Sequence, residues 1–180
     1  MKATGIVRRI DDLGRVVIPK EIRRTMRIRE GDPLEIYTEK DGEVIFKKYS
    51  PMSELSDFAS QICDSLNKTT DCITAVCDRD SIIALSGATR REFMDKRVSQ
   101  ELEHIMDTRQ IYKLEQGGEN LPVTDHDEKH CLTVAAPILS EGDILGCVIF
   151  IAPLGAAPAT EIELKLAHTV AGFLGKQMES

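Results

Sequence analysis

The first fifty residues carry several short strand and helix signals but too few apolar side chains to fill a hydrophobic core of their own. The predicted order is strand, strand, short helix and hairpin, at residues 3–10, 15–18, 20–26, 34–37 and 44–46. Asp41-Gly42 is typical of the turn that joins two hairpin strands. A unit of this size is marginal alone, and its strands would leave open edges. We therefore expect two copies to interleave and share one core.

Charge is distributed unevenly along the chain, whose 180 residues carry a net charge of −7. Residues 1–50 contain 12 Lys and Arg against 9 Asp and Glu, whereas residues 51–180 contain 11 against 21. Within residues 1–29 the numbers are 9 and 3, and seven of those nine basic residues are Arg. Such asymmetry predicts two domains with different partners. Clustered arginines suit DNA phosphates and guanine edges, and the alternative is a solvated charged face.

The segment from Asp11 to Arg24 reads DDLGRVVIPKEIRR and resembles the signature of the AbrB-like transition-state regulators, members of the swapped-hairpin superfamily. This resemblance covers residues 1–50 and implies a β-barrel built by an interleaved dimer that binds double-stranded DNA with loose sequence preference. It implies DNA contacts by arginines of the first strand, of the strand that follows the turn predicted at residues 11–14, and of the helix. Together with the charge cluster, the candidate DNA-binding residues are Arg8, Arg9, Arg15, Lys20, Arg23, Arg24 and Arg27. Arg27 departs from the family pattern, which usually has a glycine where the helix ends.

The sequence around Ser50-Pro51 interrupts the strand pattern, which predicts a linker at residues 51–55 between domains at 1–50 and 56–180. A helix capped by Ser53 is predicted to run to Asn67, and Thr160 is predicted to cap the last helix. Between them we predict strands at residues 72–77, 82–86, 111–115, 131–139 and 144–152, and helical segments at residues 90–93 and 99–109. The second domain is therefore predicted to be α+β, an antiparallel sheet with flanking helices.

This order of elements resembles a GAF domain, and an AbrB-like domain followed by a GAF domain implies an activator or repressor of sporulation-stage genes. Apolar residues cover much of both flanking helices, so we expect each helix to pack on its own sheet and on a partner chain. Two distinct two-fold contacts predict a homotetramer.

GAF domains often hold a small molecule on one face of the sheet, and the sequence does not identify that ligand. The candidate ligand-binding residues are Cys77, Ser86, Cys131, Thr133 and Cys147, with residues 116–129 as a mobile lid. The alternative is that these small side chains only pack beneath the helices. No other cofactor is predicted.

Two other protein classes compete with a DNA-binding regulator. A swapped-hairpin antitoxin would carry a short disordered tail instead of a structured second domain. A GAF-fold methionine sulfoxide reductase would need an exposed thiolate of low pKa, whereas the five cysteines lie mostly in apolar segments. We therefore expect no enzymatic activity.

No metal site, membrane span or export signal is predicted. His126 and His130, with nearby acidic residues and Cys131, resemble metal ligands but lie in a predicted loop without a known ligand spacing. The chain contains no run of roughly 18 apolar residues and begins with charged residues unlike a signal peptide. We expect it in the cytoplasm, with the nucleoid.

Overall fold

A computed structural model describes residues 4–179. The chain divides into two compact units, Met1–Tyr49 and Ser50–Ser180. The first unit contains helix α1 (Lys20–Thr25) and strands β1 (Leu34–Thr38) and β2 (Val44–Lys48). Strand β1 pairs antiparallel with β2, and Ile36 lies opposite Phe46. The helix and the hairpin predicted for this segment are confirmed.

The two strands predicted at residues 3–10 and 15–18 do not form in the single chain. Ala3 lies outside the described residues. A turn joins the two segments, with the Asp11 amide donating to the Arg15 carbonyl at 3.0 Å and Gly14 at φ +77°. A strand requires a neighbouring backbone that completes its hydrogen-bond ladder. Within the described part of the first unit, no other strand pairs with these two segments.

No residue of the first unit is buried, as far as residues 4–49 are described. Val7 is 86% exposed, and Ile10 and Val17 are each 71% exposed. Twelve of the seventeen exposed large apolar side chains in the described chain belong to this short unit. The side chains suited to form its core are therefore open to solvent in one isolated copy.

The second unit is built around a five-stranded antiparallel sheet with strand order β4-β3-β7-β6-β5. The strands are β3 (Ile73–Asp78), β4 (Ile82–Ser86), β5 (Tyr112–Lys113), β6 (His130–Ser140) and β7 (Asp143–Pro153). The helices are α2 (Pro51–Glu54), α3 (Ser56–Thr70), α4 (Arg90–Phe93), α5 (Gln100–Thr108) and α6 (Glu161–Gln177). The predicted antiparallel sheet with flanking helices is confirmed. Within residues 4–179, no helix combines the length and apolar character needed to cross a bilayer.

Each face of this sheet carries its own hydrophobic core. On one face, Ala59 and Cys63 of α3 and Ala167 and Leu174 of α6 pack against Val148 and the side chains near it. On the other face, Phe93 of α4 and Leu102 and Met106 of α5 pack against Cys147 and Ile149. Both faces are therefore covered, which explains why most sheet residues are apolar without alternation.

The start of the second unit differs from the prediction. Residues 51–55, expected to be a linker, contain α2, and Met52 is fully buried in the core beneath α3 and α6. Ser53 lies inside α2 and does not cap α3, because the helical conformation is interrupted at Leu55 (φ −95°, ψ 9°) and a new helix begins at Ser56. The cap predicted for the last helix is confirmed. Thr160 and Glu163 form a capping box at the start of α6.

The segment 116–129, predicted to be a mobile lid, is anchored in its second half. Val123 is fully buried and Thr124 is 1% exposed. The Ser99 amide donates to the Val123 carbonyl at 3.1 Å, and the Ser99 hydroxyl donates to the Pro122 carbonyl at 2.7 Å. The prediction of a mobile lid is therefore wrong for residues 122–124. It was based on the polar composition of the whole segment, whereas burial or hydrogen bonds anchor these three residues.

Candidate nucleic-acid interface

The carboxylate of Asp11 organises the turn at residues 11–15. Asp11 Oδ1 accepts hydrogen bonds from the Leu13 amide at 3.0 Å and from the Arg15 amide at 2.8 Å. Asp11 Oδ2 accepts a hydrogen bond from Arg15 Nε at 2.9 Å. The Arg15 amide, helped by its guanidinium, lowers the pKa of the Asp11 carboxyl. The Arg15 side chain nevertheless remains 69% exposed, so its outer edge faces solvent.

Helix α1 presents three more of the candidate cations. Lys20 begins the helix, and Arg23 and Arg24 occupy its last turn. Pro19 precedes the helix, and the Arg23 amide donates to the Pro19 carbonyl at 2.9 Å. All three side chains are exposed, as are Arg8 and Arg9 before the turn. Six of the seven predicted cations therefore lie in three consecutive segments with their side chains open to solvent.

Arg27 lies where the chain leaves α1, in the left-handed region with φ +50°. An L-residue with a side chain adopts this conformation at a cost, which glycine avoids. This backbone conformation explains why AbrB-like domains usually have a glycine at this position. The Arg27 carbonyl accepts a hydrogen bond from Lys48 Nζ at 2.9 Å, so its backbone is tied to β2. Its side chain is half-buried, unlike those of the other candidates.

Asp11 is a functional candidate that neither the charge distribution nor the family resemblance indicates, because both point to the arginines around it. An Asp at the first position of a turn with Gly at the fourth is a recognisable signal, because its side chain can bond amides further along the turn.

The five candidate ligand-binding residues of the second unit do not come together in one place. Cys77 and Cys147 are cross-strand partners, fully buried beneath α4 and α5. Ser86 lies opposite Thr74, whose hydroxyl donates to the Cys63 carbonyl of α3, so Ser86 belongs to the other face. Cys131 and Thr133 are 1% and 7% exposed on β6, where the register shifts.

A cavity of the described structure lies elsewhere, between α3 and α6. It is an open groove of about 440 Å³ on the outer surface of these helices. The rings of Phe58 and Phe173 lie 5.9 Å apart between the two helices. The groove is lined by Phe58, Gln61, Ile62, Ser65, Leu66, Thr69, Leu166 and Val170. None of the five candidates is among these residues.

The thiols have the opposite of the properties that a redox-active cysteine requires. Burial raises the pKa of Cys63 to about 12, and it also raises the pKa of Cys77 and of Cys147. Burial also raises the pKa of Cys72 and Cys131. A nucleophilic thiol needs a lowered pKa and access to solvent. Within the described residues, no group of His, Cys, Asp or Glu side chains is arranged to hold a metal ion.

Two family matches divide the chain within a few residues of the boundary between its two units. The family described as stage V sporulation protein T C-terminal, transcription factor, matches residues 54–179. The family described as antidote-toxin recognition MazE, bacterial antitoxin, matches residues 7–53.

Individual relatives match either the whole chain or one of its two parts. Stage V sporulation protein T of Bacillus subtilis (strain 168) is 49% identical over 180 residues, 99% of both chains. Transition state regulatory protein AbrB of the same organism is 63% identical over 51 residues, 28% of this chain and 52% of that protein. The crystal structure of the GAF domain from Acinetobacter phosphoenolpyruvate-protein phosphotransferase covers 73% of this chain and 84% of that one. Its TM-score is 0.52 at 10% identity, which is a likeness of fold alone.

Proposed function

Because the chain belongs to the stage V sporulation protein T family of transcription factors, we propose that it regulates sporulation-stage genes by binding double-stranded DNA through the arginines of its first unit. The observation that carries this proposal is the likeness of that unit to AbrB, combined with the exposure of its arginines. The second unit matches a transcription factor family along nearly its whole length, which favours a regulator over an antitoxin. The buried thiols favour it over a reductase.

The proposed DNA contacts use the seven candidate cations, all of which except the half-buried Arg27 are exposed. Arg8, Arg15, Arg23 and Arg24 make the principal contacts, and Arg9, Lys20 and Arg27 add contacts to phosphate. Arginines bind phosphate and guanine in bidentate fashion and also enter narrow minor grooves of AT-rich DNA. The protein acts in the cytoplasm, on the nucleoid.

We further propose that two first units interleave into a dimer. The argument rests on exposed apolar area, because side chains such as Val7, Ile10 and Val17 would be unfavourable in water on a free monomer. The segments 5–10 and 15–18 also need ladder partners, which a second copy supplies. Dimerisation doubles the number of arginines on one surface and thus strengthens binding to the DNA backbone.

A second contact between chains is proposed on the outer face of α3 and α6. Partly exposed apolar residues form a stripe at helical spacing on each helix: Phe58 and Ile62 on α3, with Leu55 immediately before it, and Ile162, Leu166, Val170 and Phe173 on α6. Two helices with adjacent stripes form half of a four-helix bundle. Together with the interleaved first units, this contact closes a tetramer that engages two DNA segments with increased avidity.

A small-molecule site remains a separate proposal for the second unit. Cys77 and Cys147 lie beneath packed side chains such as Phe93 and Met106. A ligand that reached them would have to displace this packing. The alternative in which these small residues only fill the core is therefore favoured by their burial.

The DNA proposal is tested by titrating the full-length protein against a labelled AT-rich duplex at several salt concentrations. The test variant changes Arg8, Arg15, Arg23 and Arg24 to Ala. The control variant changes Arg90, Arg91, Lys96 and Arg97 of the second unit to Ala, which removes the same charge from exposed positions. We expect wild type and control to bind with a steep negative salt dependence, and the test variant to lose binding while its circular dichroism is unchanged. Failure of the wild type to bind at low salt, or equal loss in both variants, would overturn the proposal.

The tetramer is tested by sedimentation velocity of Phe58→Asp and Phe173→Asp, with His168→Glu as a control at an exposed position of α6 outside the stripe. The two stripe variants should sediment as dimers, and the control as a tetramer. A stripe variant that remains a folded tetramer would rule out this face as the second contact.

A further inference from the structure

The turn around Asp11 brings a carboxylate against a proposed DNA-binding arginine. A negative charge at a DNA-binding surface opposes binding, because it repels the phosphates. Asp11 can therefore favour DNA binding only if it contributes more to affinity than this repulsion costs.

The Asp11 carboxylate contacts two different parts of Arg15, its backbone amide and its side chain. Asp11 Oδ2 accepts from Nε of the guanidinium, while Oδ1 accepts from the Arg15 backbone amide. The same carboxylate thus fixes both ends of the Arg15 residue. The contact uses Nε and not the terminal amino groups, and the side chain as a whole remains 69% exposed. Those groups are the ones that make paired hydrogen bonds to phosphate or guanine.

We infer that Asp11 is a positioning residue for DNA recognition: it holds Arg15 in a binding-ready conformation before DNA arrives. This inference rests on the proposed DNA-binding function and adds a specific role within it. Ordering a long, flexible side chain on binding weakens affinity, and an arginine already held in place avoids that loss.

Asp12 provides a natural comparison in the same turn. It carries the same charge and is also exposed, but it makes none of the contacts that Asp11 makes to residues 13 and 15. Replacing either residue with Asn removes one negative charge per chain. If charge alone mattered, both replacements would strengthen DNA binding to a similar extent.

Removing the negative charge of Asp11 should strengthen DNA binding, whereas losing its contact with Arg15 should weaken DNA binding. The sign of the measured change therefore shows which of the two is larger. Asp11→Asn retains an oxygen that accepts from the backbone amides but loses the charged contact to Nε. We expect this variant to bind DNA roughly 2- to 10-fold more weakly for each Asp11 turn that contacts the DNA, although a negative charge has been removed. Asp12→Asn should bind as tightly as wild type or more tightly.

The experiment measures DNA affinity and its salt dependence for full-length wild type, Asp11→Asn, Asp12→Asn, Arg15→Ala and the double variant Asp11→Asn/Arg15→Ala. Thermal unfolding and sedimentation establish that each variant is folded and assembled as the wild type is. In the Arg15→Ala background, Asp11→Asn should cause no further loss, because Asp11 acts through Arg15.

Each outcome decides the inference. Weaker binding by Asp11→Asn that disappears in the Arg15→Ala background supports it. Equal or tighter binding by Asp11→Asn, or the same loss in both backgrounds, overturns it and leaves DNA binding by the first unit intact. Absence of DNA binding by the wild type overturns the proposed function itself.

Discussion

Two glycines of α6 should respond in opposite ways to the same substitution. A Cβ atom added at Gly175 would lie 2.0 Å from the Leu139 carbonyl oxygen of β6 and 3.1 Å from its carbon. A Cβ atom added at Gly172 would meet no atom within 4 Å. Both positions lie in the same helix, so Gly172→Ala is a matched control for Gly175→Ala.

The magnitude follows from the geometry. An ordinary contact between carbon and a carbonyl oxygen is about 3.3 Å or more, so α6 and β6 would have to separate by about 1.3 Å near Gly175. Overpacking typically costs about 1–3 kcal/mol, and so close an approach to a backbone oxygen belongs to the upper part of that range, about 2–3 kcal/mol. This cost opposes a gain of about 1 kcal/mol in helix propensity. Gly175→Ala should therefore lower the free energy of unfolding by about 1–2 kcal/mol, whereas Gly172→Ala should raise it by about 1 kcal/mol.

Thermal unfolding of the full-length protein, followed by circular dichroism at one protein concentration, measures both variants. The Tm should fall by about 2–8 °C for Gly175→Ala and rise by about 2–4 °C for Gly172→Ala. A Tm for Gly175→Ala that equals or exceeds that of the wild type would refute the close packing of α6 on β6.

Four further predictions concern a buried cap, the thiols and the end of α1. Ser99→Ala removes a side chain that accepts from the Leu102 amide at 3.1 Å, so urea denaturation should show a loss of about 1–2 kcal/mol; an unchanged midpoint would contradict this. Iodoacetamide at pH 8 should modify Cys72, the partly exposed thiol, and reach the other four cysteines only after unfolding. Because burial raises the pKa of Cys63 to about 12 from its ordinary value of 9.0, stability should decline as the pH rises above 9. Arg27→Gly should raise the free energy of unfolding by about 1 kcal/mol by relieving the left-handed backbone, while DNA titration should show weaker binding; tighter binding would exclude Arg27 as a phosphate contact.

Local signals in the sequence were sufficient wherever neighbouring residues determine the structure. The β1–β2 hairpin follows from Asp41-Gly42, and β4 begins and ends at the predicted residues. The start of α6 follows from Thr160, which bonds its own backbone neighbours. These features depend on contacts a few residues apart, and such contacts can be derived from spacing alone.

Predictions failed where distant parts of the molecule decide the outcome. Residues 5–10 alternate as a strand does, yet strand formation depends on a partner that the single chain lacks in its described part. Val123 lies in a polar segment and is nevertheless buried, because α5 and the sheet leave space for it. The break at Leu55 also escaped prediction, since apolar spacing continues through it.

The proposed DNA surface was predictable as a set of residues but not as an arrangement. Charge segregation and the AbrB-like signature identified the arginines. The contact between Asp11 and Arg15 depends on the conformation of the turn, in which Gly14 has φ +77°. Ser86 was grouped with Cys77 because both lie in strands, whereas strand register places them on opposite faces.

The central claim is that DNA binds to the first unit, and photo-crosslinking of the full-length protein tests it most directly. An AT-rich duplex containing 5-bromouracil would be irradiated with the protein at moderate salt, and mass spectrometry would identify the crosslinked peptides. The account predicts crosslinks within residues 4–29, which carry the exposed arginines. Crosslinks confined to the second unit, such as its basic segment at residues 90–97, would contradict it.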